Sequence, residues 1–498
     1  MKRIIFIYLL LPSLLSFTSE KPNIILFLVD DMGLMDTSQP FLTDGKGKPV
    51  KHPLNHFYKT PAMEKLASQG LVISQFYANS VCSPTRATLM TGQSSARHRV
   101  TQFIKPESNN AGTFGPPTWK WEGLNSKDTT LPKLLSQGGY RAIHCGKGHF
   151  APEKHEGENP EKIGFDINIA GCAYGQPGSY YGKESFGHNN PKRQKRAVPG
   201  LSEYHGKDIF LTEALTLEMN KAISKASEDK KPFFAYMSHY AVHGPFQSDE
   251  RFKDHYLSSG KAKSAQAYAT LIEGMDKSLN DILEHLNKLK IAENTLIIFL
   301  GDNGSDAPLG KTHDIASSAP LRGKKGTHYE GGMRVPFIAS WAKTAADNPI
   351  QRKFPVKNCI IDNKFAKISD IFPTILEIAG INKPEGHQID GSSLTDFFKG
   401  NTAAHPQKFL MHFPHSHRSS YFTVLRDGDY KLVFHYKNKE GEKYELFNLK
   451  KDTYEQENLA HLNHKTLKEM ISKMQISLED CKAQYPHTGD KTTAIKPL

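Results

Sequence analysis

Two short clusters of oxygen-bearing side chains could hold a cation: Asp30-Asp31, just before Met32-Gly33, and Asp302-Asn303, just before Gly304. Three carboxylates and an amide brought together would repel unless a cation neutralised them. An all-oxygen donor set selects a hard ion, calcium or magnesium, over zinc. Each cluster taken alone also reads as an ordinary turn, because Asp, Asn and Gly are common turn residues. A third candidate is Cys82, in Val81-Cys82-Ser83-Pro84-Thr85-Arg86 with Thr91-Gly92 beyond. Ser83 can cap a helix and Pro84 suits its first turn. Cys82 then sits at a helix N-terminus, where backbone N–H groups and the dipole favour anions. By position alone, a buried structural thiol fits this cysteine equally well.

The elements that must position these residues are legible. Residues 23–29 and 295–300 are apolar without alternation, the pattern of strands buried on both faces of a parallel sheet. Each runs directly into one of the two clusters, and ligands of open α/β sheets bind beyond the carboxyl ends of strands. Thr60, Pro61 and Gly70 bracket a helix over 60–69. Further helices are predicted over 130–137, 211–224, 264–289 and 368–379, and further strands over 71–77, 140–145, 233–237 and 337–339. This alternation predicts an α/β fold with a doubly wound, mostly parallel sheet and helices on both faces. After residue 400 the texture changes to short strands at 421–425, 430–436 and 444–449, with Asp427-Gly428 as a hairpin signal. A helix over 462–478 completes a small antiparallel sheet with a packed helix. The expected organisation is a signal peptide over 1–19, a catalytic α/β domain over 20–399 and a C-terminal α+β subdomain over 400–498.

With 38% hydrophobic and 23% charged residues over 498 positions, the chain is globular rather than disordered or fibrous. Its net charge of +12 is a mild excess, compatible with a polyanionic substrate. Five cysteines are too few for a disulfide scaffold. At the N-terminus, Lys2-Arg3 precede an apolar run from 4 to 15 and then Ser16-Phe17-Thr18-Ser19, the pattern of a secretory signal peptide cleaved near Ser19. The run is short of the roughly 20 apolar residues a membrane span needs. A periplasmic or secreted protein is expected, with neither a stable membrane span nor a nucleic-acid partner.

Cys-x-Pro-Thr-Arg followed by Thr-Gly resembles the signature of formylglycine-dependent sulfatases, in the alkaline phosphatase superfamily. The likeness extends in order through Gly146-Lys147-Gly148-His149, Gly164-Phe165-Asp166, His239 to Pro245, Glu273-Gly274-Met275-Asp276, Gly323-Lys324-Lys325-Gly326 and Tyr329-Glu330-Gly331-Gly332. Bacterial polysaccharide sulfatases are the resembling group. The resemblance implies that a maturation enzyme oxidises Cys82 to formylglycine (3-oxoalanine). The hydrated aldehyde is a geminal diol, whose second hydroxyl lets the sulfated intermediate release sulfate. It also implies one calcium ion held by Asp30, Asp31, Asp302, Asn303 and the Cys82 side chain. Arg86 would orient the diol, Lys147 and Lys325 would bind sulfate, His149 would take the diol proton, and His243 would contact sulfate and protonate the leaving oxygen.

Two departures bear on these roles. Gly148 stands where the family often has Trp, and Val242-His243-Gly244-Pro245 replaces a more usual Pro-His. His239 therefore competes with His243, and Lys324 with Lys325. The run from Lys192 to Arg196 reads as a solvated loop or as a grip on a polyanion. The segment His412-Phe413-Pro414-His415-Ser416-His417-Arg418 offers sugar contacts, without Cys or acidic partners spaced for zinc. The expected activity is hydrolysis of sulfate esters, on a sulfated oligo- or polysaccharide. The alternatives are a phosphonate monoester or phosphodiester hydrolase of the same superfamily, and a non-catalytic polyanion-binding protein.

Overall fold

The computed structural model describes residues 21–497 except 45, 310–316, 438–441 and 491–492. The expected signal peptide over 1–19 lies outside the described residues. No described helix is long and apolar enough to cross a membrane.

In chain order the strands are β1 (Asn23–Val29), β2 (Leu71–Ile73), β3 (Phe76–Tyr77), β4 (Arg141–Gly146), β5 (Ile167–Ile169), β6 (Phe233–His239), β7 (Thr295–Gly301) and β8 (Arg334–Val335). They continue as β9 (Phe337–Trp341), β10 (Cys359–Ile361), β11 (Ala366–Lys367), β12 (Lys408–Phe413), β13 (Phe422–Asp427), β14 (Tyr430–His435) and β15 (Tyr444–Asn448). The main sheet has the order β10-β2-β9-β7-β1-β6-β4-β5. Only β9 runs antiparallel to its neighbours β2 and β7. This is the predicted doubly wound, mostly parallel α/β fold. β1 lies at the centre and is buried on both faces. Ile25, Phe27 and Val29 join one core, with the helices Leu211–Glu228 and Lys263–Lys288. Ile24, Leu26 and Leu28 join the other, with Leu89 and the helix Ile371–Ala379. Burial on both faces removes any reason for the sequence to alternate.

Register does the functional work. Val29 of β1 is level with Gly301 of β7 and His239 of β6, and Ser238 of β6 is level with Gly146 of β4. The residues that follow β1, β4 and β7 therefore emerge side by side at one edge.

Residues 71–77 are not the single strand expected. The chain kinks at Ser74, whose backbone oxygen accepts from Arg334 Nε at 2.8 Å. β2 stays in the main sheet, while β3 joins β8 and β11 in a separate three-stranded sheet. The C-terminal sheet β12-β13-β14-β15 is antiparallel throughout. The sequence reading missed β12. Its Phe409, Met411 and Phe413 pack toward the sheet of β3, and Leu410 packs toward the helix His464–Asp480, so it too lacks alternation.

One buried ion cluster ties the C-terminal sheet to the loops of the main domain. Lys431 of β14 places Nζ 2.6 Å from Glu455 Oε1 and 3.2 Å from Glu330 Oε1, with all three side chains buried. Burial, with Glu330 as neighbour, pushes Glu455 up to about 7 even so. Removing the shared cation strands Glu455 and leaves Glu330 only the longer pair with Arg334 (3.8 Å). Lys431→Met should therefore lower unfolding free energy by about 3–5 kcal/mol, read from urea denaturation. A loss under about 1 kcal/mol would contradict this account of the junction.

Candidate active site

The turn after β1 presents Asp30 and Asp31. Asp31 takes a left-handed backbone (φ 59), a conformation uncommon outside Gly, Asn and Asp. Tyr268 Oη, 3.2 Å from the Asp31 carbonyl and 3.0 Å from Asp36 Oδ2, braces the turn from the helix Lys263–Lys288. The turn after β7 presents Asp302 and Asn303. The two turns interlock. The Asp31 amide donates to Asp302 Oδ1 at 3.0 Å, and Asn303 Nδ2 donates to Asp31 Oδ1 at 2.9 Å. All four side chains are buried.

Each carboxylate meets a cation. Lys147 Nζ lies 2.7 Å from both oxygens of Asp30. Arg86 donates to Asp302 Oδ2 through Nε (3.2 Å) and NH2 (2.9 Å). Lys325 Nζ lies 2.6 Å from Asp31 Oδ1 and 2.8 Å from Oδ2. Burial raises Asp30 to about 6, against the pull of Lys147. Burial and the charge of Asp30 raise Asp302 to about 7. Burial acts on Asp31 too, but Lys325, His243 and Lys147 outweigh it and hold this carboxyl below the usual range. Asn303 Oδ1 is buried and accepts no hydrogen bond. An unpaired buried amide oxygen among carboxylates is costly, and it is the donor a hard cation would use. The residues present fit the calcium expected from the sequence.

Cys82 opens the helix Cys82–Thr91, which is buried throughout. Val81, not Ser83, stands at the cap position, because Ser83 Oγ instead accepts from the Ile104 amide at 3.0 Å. Arg86 follows one turn later and also donates through NH1 to Ser238 Oγ (2.6 Å) and the Lys147 carbonyl (3.0 Å). Gly92 ends the helix with φ 69.

Lys147 and His149 follow β4. Between them, Gly148 has little space for a side chain: a Cβ there would stand 3.0 Å from the Cys172 carbonyl oxygen. The departure from Trp thus accompanies a close approach of two backbones. His149 Nε2 lies 2.7 Å from the Ile104 carbonyl, which can only accept, so Nε2 carries the proton. Nδ1 is then the basic nitrogen, and it faces Cys82 Sγ at 3.4 Å. Burial, with Lys147 next, holds His149 well below its usual range, so the ring is neutral.

His243 lies in the loop after β6, its carbonyl 2.7 Å from Tyr180 Oη. Its Nδ1 donates to the Gly244 carbonyl (3.0 Å), leaving Nε2 directed at the site, 3.6 Å from Asp31 Oδ2. Burial and Lys325 lower His243 to about 4. Its rival His239 is wholly buried on Ser278 Oγ (2.9 Å) and tilted against the Phe27 ring, away from the cavity. The rival Lys324 turns to Asp306 (3.2 Å).

Cys82, His149, His243 and Lys325 floor a cavity of about 430 Å³, walled by Ile104, Tyr174, Gln176, Arg196, His417 and Arg418 among others. This is ample for a small organic ligand. Of the predicted histidine segment only His417, with Arg418, reaches it. His412 is tied to Thr423 Oγ1 (2.8 Å) and the Gln484 carbonyl (2.6 Å), and His415 to Thr101 Oγ1 (2.8 Å) beneath Trp119, so neither can touch a ligand. Of the basic run only Arg196 lines the cavity. Sequence reasoning missed Ser238 and Asp306. Ser238 carries no local signal, whereas Asp306 follows Asn303 by three residues. The remaining cysteines, Cys145, Cys172, Cys359 and Cys481, are free thiols.

The sulfatase family profile matches residues 22–381, and the N-sulphoglucosamine sulphohydrolase C-terminal profile matches 324–484. A protein named Sulfatase from Formosa agariphila is 28% identical over 89% of this chain and 85% of its own length. Human N-acetylgalactosamine-6-sulfatase is 29% identical over 75% of this chain and 65% of its own length. Among solved structures, Ps i-CgsB superposes with a TM-score of 0.72 at 24% identity, covering 93% of each chain. Its complex with k-i-k-neocarrahexaose gives 0.71 at 23% identity, over 95% of this chain and 96% of the other. At these identities the structural likeness bears on the fold alone. The family match over most of the chain, coming on top of this site, establishes that the chain belongs to the sulfatase family and is a sulfuric ester hydrolase.

Proposed function

We propose that this protein hydrolyses sulfate esters of oligo- or polysaccharides outside the cytoplasm, with Cys82 as the precursor of the nucleophile. The observation that carries this reading is the basic nitrogen of His149 facing Cys82 beside a neutralised carboxylate cluster. Related proteins are named for sulfated sugars, and Ps i-CgsB is known with a bound neocarrahexaose. The signal-peptide pattern at the N-terminus supports export.

Conversion of Cys82 to formylglycine by a maturation enzyme would supply a diol, one hydroxyl to attack sulfur and a second whose deprotonation expels sulfate. Asp30, Asp31, Asp302 and Asn303, with the residue-82 side chain, would hold a calcium ion, which when bound polarises a sulfate oxygen and acidifies the attacking hydroxyl.

The chain's own residues then have defined tasks. Three carboxylates against Arg86, Lys147 and Lys325 make a neutral cluster, so a bound dication leaves surplus positive charge. That surplus matches a sulfate monoanion and the second negative charge that develops on the leaving oxygen. Arg86 fixes the helix start against β6 and β7 and so positions residue 82. Lys147 and Lys325 offer ammonium groups to sulfate oxygens. His149, locked as the Nε2–H tautomer, takes a proton at Nδ1 from the residue-82 side chain. His243 is neutral in the free site. A sulfate anion entering beside it offsets Lys325 and raises its affinity for a proton at Nε2, which it can pass to the leaving oxygen.

Peptide mass spectrometry should find the Cys82 peptide of the active protein lighter by about 18 Da, thiol becoming aldehyde. Cys82→Ala should lose activity by several orders of magnitude. Full activity with an unmodified thiol would refute the mechanism.

For the metal, calcium should raise the melting temperature of the wild-type protein in a concentration-dependent way. Asn303→Ala removes the unpartnered oxygen and should weaken that response at least about tenfold in calcium concentration. An unchanged calcium response would exclude Asn303 as a ligand.

A sugar alkoxide leaves poorly and needs a proton, whereas an activated aryl oxide does not. His243→Ala should therefore cost about 10²-fold or more in kcat on a saccharide sulfate and far less on an aryl sulfate. Equal losses on the two substrates would remove the acid role.

A further inference from the structure

The cavity wall holds a cation that the sulfate-ester chemistry does not use. Lys325 is paired with Asp31 and assigned to the reacting sulfate. Arg418 is committed to Asp306, with NH2 2.8 Å from Oδ2 and NH1 on Oδ1 at 2.5 Å, and NH1 also reaches the Lys325 carbonyl at 3.1 Å. Among the described residues no side chain holds the ammonium group of Lys105, which lies on an exposed segment at the mouth beside Glu107. Arg196 is different. Among the described residues no carboxylate lies within ion-pair distance of it, and its side chain packs against the neutral amide of Gln176, which, turned with its oxygen toward the guanidinium, accepts from Nε and Nη1. Its charge is thus oriented without being neutralised.

The backbone beneath Arg196 is fixed to the wall. The Gly178 amide donates to the Arg196 carbonyl at 2.6 Å, and a Cβ at Gly178 would stand 2.9 Å from the Arg193 carbonyl oxygen and 3.1 Å from that of Arg196. The segment that carries Tyr174 and Gln176 therefore also carries the basic turn. A guanidinium placed in this way, presenting a planar fork of donors, suits a sulfate ester or a carboxylate.

We infer that Arg196 binds a second anionic group of the substrate, so that the preferred substrate is a saccharide carrying another sulfate ester or a carboxylate near the sulfate that is removed. This rests on the saccharide sulfatase reading and narrows it.

The test compares matched substrates on the mature enzyme. One arm uses N-acetylgalactosamine 6-sulfate against the 4,6-disulfate, and glucosamine 6-O-sulfate against the 2-N,6-O-disulfate. A second arm uses 6-sulfated disaccharides with and without a uronate carboxylate, which separates the two sources of charge. The wild type should favour the more anionic partner in at least one pair, and the preference should shrink as salt is raised. Arg196→Gln should cut that preference ratio in kcat/KM by about 10–100-fold, mostly through KM. Arg196→Lys should restore part of it, since the charge remains and the fork is lost. A preference ratio unchanged in Arg196→Gln, or a loss residing in kcat on both partners, would overturn the inference while leaving the saccharide reading intact. An enzyme that frees sulfate from an aryl ester but from no saccharide would overturn both.

Discussion

Three carboxylates buried at the ends of two neighbouring strands set the terms for the rest of this molecule. Asp30, Asp31 and Asp302 are out of solvent, close enough that the Asp31 amide donates to Asp302 and Asn303 donates to Asp31, and burial together with their mutual repulsion drives Asp30 and Asp302 toward the protonated form. Such a cluster persists only if positive charge is built in around it. Lys147, Arg86 and Lys325 supply that charge from three different parts of the chain: the turn after β4, a buried helix, and a loop more than twenty residues beyond β7. The parallel sheet is what makes them converge. One register places the ends of β1, β4, β6 and β7 on a common edge, and the helix that begins at Cys82 is held to that edge by Arg86.

The same constraint explains the arrangement of the two histidines. Burial, helped by Lys147 and Lys325, keeps both rings neutral, and different contacts orient them. His149 is locked by the Ile104 carbonyl, so its basic nitrogen faces residue 82. His243 is held by the Gly244 carbonyl, so its free nitrogen faces the cavity and Asp31. One position suits removal of a proton from the nucleophile and the other suits donation to a departing oxygen. The division of labour follows from which backbone carbonyl each ring meets.

Much of this was legible in the sequence because apolar runs without alternation report strands buried on both faces. Residues 23–29 and 295–300 have that pattern, and the acid pairs that follow them mark the functional edge. The motif around Cys82 and the blocks around Lys147, His149 and Lys325 carried the resemblance. Less was legible where a choice depended on tertiary packing. Nothing local distinguishes His243 from His239, or Lys325 from Lys324; the difference lies in which side chain the loop turns inward. The segment from His412 to His417 offered three similar rings, yet strand pairing buries His412, Trp119 covers His415, and only His417 is left on the cavity. The break at Ser74 was invisible because it depends on Arg334, 260 residues away.

The central claim is that the carboxylate cluster is built around a hard dication as well as its three internal cations. Elemental analysis by inductively coupled plasma mass spectrometry of the mature protein, purified without chelator and dialysed against metal-free buffer, measures this directly. The account predicts about one calcium per chain, because the donors offered are all oxygen. It also predicts that the calcium is lost when Asp30 and Asp302 are both changed to Asn. Finding stoichiometric zinc, or no divalent ion in a protein that still frees sulfate at its full rate, would contradict it.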